Sequence, residues 1–194
     1  MEKNSELRHA WDFVEHTGIS IFLTGKAGTG KTTFLRTFKE KSSKRSIIVA
    51  PTGVAAINAG GMTIHSFFQL PLSPFVPEVN FKNRFDYSKE KRKIIRTLDL
   101  LIIDEISMVR SDVLDAIDSV LRRFKEHEKP FGGVQLLMIG DLQQLTPVVT
   151  PEDEVILQRY YDTSYFFGSK ALRSISYVTI ELTHVYRQQD EEFI

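Results

Sequence analysis

The run Gly25-Lys26-Ala27-Gly28-Thr29-Gly30-Lys31-Thr32 places glycines, a lysine and a hydroxyl at spacings that suit a phosphate chain. Glycines let the backbone curl until successive N–H groups converge on one anion. The helix that follows adds its positive N-terminal end, the lysine reaches the β- and γ-phosphates, and the hydroxyl after it ligates magnesium. Gly25, Ala27, Gly28, Thr29, Gly30, Lys31, Thr32 and Thr33 are therefore the expected contacts to ATP. Further on, Leu98–Glu105 is an apolar run that closes on two acids. A carboxylate at a strand end can hold magnesium through its water shell, which assigns Asp104, with Thr32, to the metal. The next acid, Glu105, is placed to polarise the water that attacks the γ-phosphate.

These two elements are common to many nucleotide hydrolases, and the other segments narrow the choice. Gly140-Asp141-Leu142-Gln143-Gln144-Leu145-Thr146-Pro147-Val148 resembles the G-D-x-x-Q-L-x-P-V segment of superfamily-one helicases. The resemblance makes Gln144 the residue that senses the γ-phosphate, a task for an amide that can both accept from water and donate to phosphate. Pro51-Thr52-Gly53-Val54-Ala55-Ala56 and Thr63-Ile64-His65-Ser66-Phe67-Phe68 resemble the DNA-contacting segment of the same superfamily. That implies contacts from Pro51, Thr52, Gly53, His65, Ser66 and Phe67, with backbone N–H groups meeting a phosphate and the two rings packing near a base or sugar.

Ser107-Met108-Val109, together with Pro130-Phe131-Gly132-Gly133 leading into the next strand, is similar to the signature stretch of the PIF (petite integration frequency) helicases. Leu182-Thr183-His184-Val185-Tyr186-Arg187-Gln188 resembles that family's L-T-x-x-x-R-Q segment, which gives Arg187 a contact to the γ-phosphate. The family implies a 5′-to-3′ DNA helicase that uses ATP and Mg2+ and works on single-stranded DNA and single-strand/duplex junctions. Where the family usually carries a glutamine that reads adenine, the chain has Asn4-Ser5-Glu6-Leu7-Arg8-His9-Ala10. Without the resemblance, the phosphate motif and the acids fit a self-contained P-loop ATPase switch equally well.

The elements that position these residues alternate, as in a parallel α/β sheet. Leu7, Trp11 and Val14 predict an opening helix that stops near Gly18. Strands are expected at Ile19–Leu23, Ile47–Ala50, Leu98–Asp104, Val134–Ile139 and Val178–Leu182, several of them apolar at consecutive positions, as strands covered on both faces are. After Ser111, residues Val113, Leu114, Ile117, Val120, Leu121 and Phe124 form one helical stripe, with Asp112 and Asp115 in its first turn. About 70–97 reads as an insertion: Pro71, Pro74 and Pro77, then Lys82, Arg84 and a basic helix whose Lys89–Lys93 could add to a nucleic-acid contact.

The expected fold is thus a P-loop NTPase of RecA-like α/β class, with residues 1–194 as one N-terminal motor lobe and the second RecA-like lobe absent. The ending Asp190-Glu191-Glu192-Phe193-Ile194 carries no helix-stop signal and suggests a chain that continues. Twenty-five basic residues balance 25 acidic ones, so any grip on DNA must be local. With no cysteine, disulfides and thiolate metal sites are excluded. Neither a targeting segment nor a membrane span is legible, so the expectation is a cytoplasmic protein with no membrane partner.

Overall fold

The computed structural model describes residues 5–77 and 87–186. Six strands, β1 (Ser20–Gly25), β2 (Ser46–Ala50), β3 (Met62–Thr63), β4 (Leu100–Ile103), β5 (Gln135–Ile139) and β6 (Tyr177–Leu182), form one sheet in the order β3-β2-β4-β5-β1-β6. Every pairing is parallel. The central strands β4 and β5 are buried at every position. Their side chains alternate between two cores: Leu101, Ile103, Leu136 and Met138 enter one, and Leu100, Ile102, Leu137 and Ile139 the other. A period of two feeding apolar layers on both faces is why these strands read as continuous apolar runs.

One layer consists of α1 (Ser5–His16), α2 (Lys31–Lys41) and α3 (Gly53–Ala59), which send Leu7, Val14, Phe34, Phe38 and Ala59 into the second core. Trp11 lies 5.0 Å from Phe38, ring centre to ring centre, and fixes α1 on α2. The opposite layer holds α4 (Ile64–Phe68), α5 (Lys89–Thr97) and α6 (Ser111–Phe124). The short α7 (Pro151–Leu157) and α8 (Lys170–Arg173) follow β5, and α8 adds Ala171 and Leu172 to the first core. β3 is two residues long, too short for any periodicity to reveal it. The expected acids of the α6 first turn are buried: Asp115 accepts from the N–H groups of Lys170 (3.2 Å) and Ala171 (3.0 Å), capping α8, and Asp112 takes a bidentate ion pair from Arg110. Among the described residues, no helix is long and apolar enough to cross a membrane.

The Pro130–Gly133 run is a corner between α6 and β5. Phe131 and Gly132 both adopt left-handed backbone (φ 52° and 60°), which drives the fully buried Phe131 ring into the core while its N–H donates to the Asp118 carboxylate. A Cβ on Gly132 would stand 2.7 Å from the carbonyl oxygen of Leu121. Gly132→Ala combines that clash with left-handed strain and should cost on the order of 2 kcal/mol or more. Urea unfolding reads this as a lower midpoint at constant slope; an unchanged midpoint would remove the corner from the account of stability.

Candidate functional site

Because all six strands run parallel, their carboxyl ends share one edge, where ligands bind in open α/β sheets. In spatial order that edge carries Thr63–Ser66 after β3, Pro51–Gly53 after β2, Asp104–Glu105 after β4, Asp141 after β5, the Gly25–Thr32 loop after β1 and Thr183–Tyr186 after β6. Adjacent strands are about 4.8 Å apart. Segments distant in sequence thus become neighbours within one or two strand spacings.

The phosphate loop leaves β1 at Gly25 (φ 143°), where a Cβ would meet the Leu182 carbonyl oxygen at 2.6 Å and Thr29 Oγ1 at 2.9 Å. Only glycine fits between β6 and the returning loop. Thr29, 1% exposed, closes the turn from inside by donating to the Lys26 carbonyl at 2.8 Å. Gly30 starts α2 in left-handed conformation without a side-chain cap, and Thr32 and Thr33 stand exposed in the first turn of that helix. Uncapped first-turn N–H groups at an exposed helix start suit an anion. The Lys31 ammonium folds back over the loop and donates to the carbonyl oxygens of Gly25 and Lys26. Burial pulls its pKa below the ordinary lysine value, while the negative charges of Asp141, Glu105 and Asp104 act to raise it.

Asp104 and Glu105 lie immediately beyond β4, with the Asp104 N–H bonded to the Val49 carbonyl at 2.9 Å. Burial, then the adjacent Glu105 charge, pushes the Asp104 carboxyl up to about 6. Glu105 itself is held left-handed (φ 52°), a strain of order 1–3 kcal/mol that turns the chain into the short 3-10 segment Ile106–Met108. This turn packs on the end of β5: a Cβ on Gly140 would lie 2.9 Å from Ile106 Cγ2 and 3.2 Å from the backbone nitrogens of Ile106 and Ser107. The close approach brings Asp141 into the site.

Asp141, buried to 7% exposure, organises the next turn. Its carboxylate accepts from the Gln143 N–H (2.9 Å) and the Gln144 side-chain amide (3.1 Å), so Gln144 is exposed yet tethered beside the acids. Asp141 is not among the residues expected from the sequence; its signal is its place at the end of a strand that pairs with the one leading to Asp104. The charges of Asp141, Glu105 and Asp104 all act on the Lys31 ammonium, and a carboxylate at the end of β4 suits a divalent cation that takes few protein ligands. Among the described residues no group of three or more His, Cys, Asp or Glu is placed to hold a metal ion by itself. Magnesium, which takes one or two carboxylates and completes its shell with water and phosphate oxygens, fits such an open arrangement.

Of the expected nucleic-acid contacts, Gly53 and Ser66 are exposed, and Pro51, Thr52 and His65 are half-buried. The hydroxyls of Thr52 and Thr63 are used as helix caps, accepting from Ala55 and Ser66 N–H groups at 3.2 Å. Burial and the Arg110 charge hold His65 below its ordinary pKa against the pull of Asp112, which favours a neutral ring at neutral pH. Phe67 departs from expectation. It is 2% exposed, packed edge-on against Phe68 at 4.8 Å, and belongs to the core rather than to a base-stacking surface. The physical reason is the short α4 helix, which turns both phenylalanines inward to cover β2 and β4. Arg187 lies outside the described residues; just before it, Tyr186 N–H donates to the Gly28 carbonyl at 3.0 Å.

Residues 4–193 match the sequence profile of PIF1-like helicases. An ATP-dependent DNA helicase PIF1 from Emericella nidulans is 36% identical over 194 residues, covering 96% of this chain and 25% of that protein. A crystal structure of a Bacteroides Pif1 helicase with ADP-AlF3 and single-stranded DNA superposes with a TM-score of 0.92 at 44% identity, over 100% of this chain and 44% of that one. A structure of two coordinating Pif1 helicases at forked double-stranded DNA gives 0.92 at 45% identity, covering 100% and 46%. The chain therefore spans about a quarter of the length of the curated relative and less than half of the solved chains.

Lys31→Ala removes the ammonium expected to meet the phosphates, a charge-assisted contact worth roughly 1.5–3 kcal/mol. Titration calorimetry with ATP and magnesium should show affinity lower by about tenfold to a hundredfold. Equal affinity in the variant would show that the phosphates bind elsewhere.

Proposed function

The chain belongs to the PIF1-like helicase family, and from that premise we propose that it is the ATP-binding motor lobe of a 5′-to-3′ DNA helicase acting on single-stranded DNA and at single-strand/duplex junctions. One observation carries this reading: a single sheet edge holds Gly25–Thr32, Asp104–Glu105 and Asp141 after β1, β4 and β5 and the Pro51–Gly53 and His65–Ser66 segments after β2 and β3, with β4 and β2 directly paired. A shift at the γ-phosphate can thus reach the DNA side through adjacent backbone, the coupling a motor needs.

In this mechanism the Gly25–Thr33 backbone and Lys31 bind the ATP phosphates, and Thr32 with Asp104 holds magnesium. Bound there, the metal neutralises charge developing on the phosphoryl oxygens. Glu105 accepts the proton of the attacking water. Gln144, aimed by Asp141, orients that water or touches the γ-phosphate, and Arg187 supplies a further phosphate contact. Pro51–Gly53 offer backbone to a DNA phosphate, and His65 and Ser66 bear on the sugar or base. In the whole protein, a second RecA-like lobe of the same polypeptide closes over the nucleotide, since two lobes must move relative to each other for hydrolysis to become translocation.

Glu105→Gln keeps shape and removes the base, so ATP binding should persist while DNA-stimulated turnover of the whole protein falls by about 10²–10⁴. Asp104→Asn should instead weaken magnesium-dependent binding; identical behaviour of the two would overturn the division of labour. Turnover that single-stranded DNA does not stimulate would favour the self-contained ATPase switch.

With zero net charge, this lobe should bind an oligothymidylate weakly and with strong salt dependence. His65→Ala with Ser66→Ala should lower that affinity severalfold, by an amount on the order of one lost sugar or base contact of about 1 kcal/mol. Anisotropy at matched salt tests it, and an unchanged affinity would move the strand off this edge.

A further inference from the structure

The nine residues of α5 hold five cations and one acid, in a chain whose total charge is zero. Four of the five, Lys89, Arg92, Lys93 and Arg96, fall at i, i+3, i+4 and i+7 and so share one helical face. Ile95, fully buried in the core, anchors the other side of the helix and leaves Lys89, Lys93 and Arg96 exposed and Arg92 half-buried. No acid among the described residues forms an ion pair with any of the four. Like charges at i, i+4 repel, here Lys89 with Lys93 and Arg92 with Arg96, so the stripe works against the helix that carries it. Stability alone gives no reason for such an arrangement; a polyanion laid along it does.

The fifth cation joins the stripe to the candidate DNA edge. Lys91 Nζ donates to the Ser66 carbonyl at 3.2 Å and sits 5.4 Å from the centre of the Phe67 ring. It pins the start of α5 beside α4, at the carboxyl edge of the sheet, and the stripe runs from there down the flank of the molecule as α5 leads back into β4. We propose that this face of α5 binds the phosphate backbone of duplex DNA, beside the single-strand path; the inference rests on the DNA-motor reading and names the surface that holds the duplex arm of a junction.

Two features select a duplex over a single strand. Single-strand sites pair cations with aromatic platforms for unstacked bases. Here the nearest ring, Phe67, is buried beneath Lys91, and the stripe itself presents only charge. The row is also rigid: from Lys89 to Arg96 the helix rises about 10 Å. A duplex, with one phosphate charge for roughly each 1.7 Å of axis, supplies several charges over that span without being ordered first. Contacts of this kind are independent of sequence.

The test compares the chain with a variant carrying Lys89→Gln, Arg92→Gln, Lys93→Gln and Arg96→Gln, using a labelled blunt duplex and a labelled oligothymidylate across a salt series. The unmodified chain should bind the duplex at low salt. The variant should lose about tenfold or more of duplex affinity, and its log-affinity against log-salt slope should flatten by roughly three to four, as expected when four phosphate contacts are lost. Oligothymidylate affinity and ATP binding should stay within about twofold, since neither site includes the stripe. Arg92→Lys with Arg96→Lys, which keeps every charge, should retain duplex binding, and thermal melting of the glutamine variant at low salt should not fall, because the like-charge repulsion is gone. Undetectable duplex binding by the unmodified chain, or an unchanged affinity and slope in the variant, overturns the proposal. An equal loss for duplex and oligothymidylate reassigns the stripe to the single strand and overturns it too. If oligothymidylate binding is absent throughout while duplex binding depends on the stripe, the single-strand reading of the β2–β3 edge fails and the stripe stands.

Discussion

One ammonium facing three carboxylates is the constraint on which the site depends. Lys31 reaches its place only because the Gly25 turn lets the chain double back against β6, and the opposing acids come from the ends of two other strands. Burial first, and the adjacent Glu105 charge second, push the Asp104 carboxyl up to about 6, while the Lys31 charge acts against them. A site with three carboxylates and one ammonium suits phosphates accompanied by a divalent cation. The phosphates alone would add negative charge, and the cation alone would lack most of its oxygen ligands.

Close approach and strain hold that arrangement in place. Gly140 lies against Ile106 at a distance no side chain would allow, and Glu105 carries left-handed backbone that a glycine would adopt freely. Together they keep the ends of β4 and β5 within contact, so the acids and the Asp141–Gln144 turn move as one body. Strained residues persist where the surroundings over-determine them, and the fully buried β4 and β5 provide such surroundings.

A second polar network links the His65 helix to the segment that follows Gln144. Arg110 holds the fully buried Asp112 in a bidentate pair and reaches Asp153 of α7 at 2.9 Å, while Asp112 also accepts from the Phe75 N–H at 2.9 Å. The charges of Arg110 and Asp112 both act on His65. The α6 start therefore connects the His65 helix, the chain after it, and α7. Breaking a buried, hydrogen-bonded pair of this kind leaves an uncompensated charge, which costs about 3–5 kcal/mol, so the connection is stiff.

The sequence by itself determined the parallel sheet and the positions of its principal strands, because a strand buried on both faces has to be apolar at every residue, as Leu100–Ile103 and Gln135–Ile139 nearly are. It also determined the phosphate loop and the acid pair, whose chemistry depends on local spacing. What it could not decide was anything set by the third dimension. Phe67 and His65 are two residues apart in one short helix, and only packing in the core sends the phenyl ring fully inside and leaves the imidazole half-buried. Asp141 looks like any acid after a strand until β5 is found between β4 and β1, where its charge acts on Lys31. The basic run in α5 reads as a solvated face until Ile95 and Lys91 are seen to anchor it, setting the exposed Lys89, Lys93 and Arg96 and the half-buried Arg92 in one row beside α4. Strand order and helix rotation fix such neighbours, and both follow from how the whole apolar surface is buried at once.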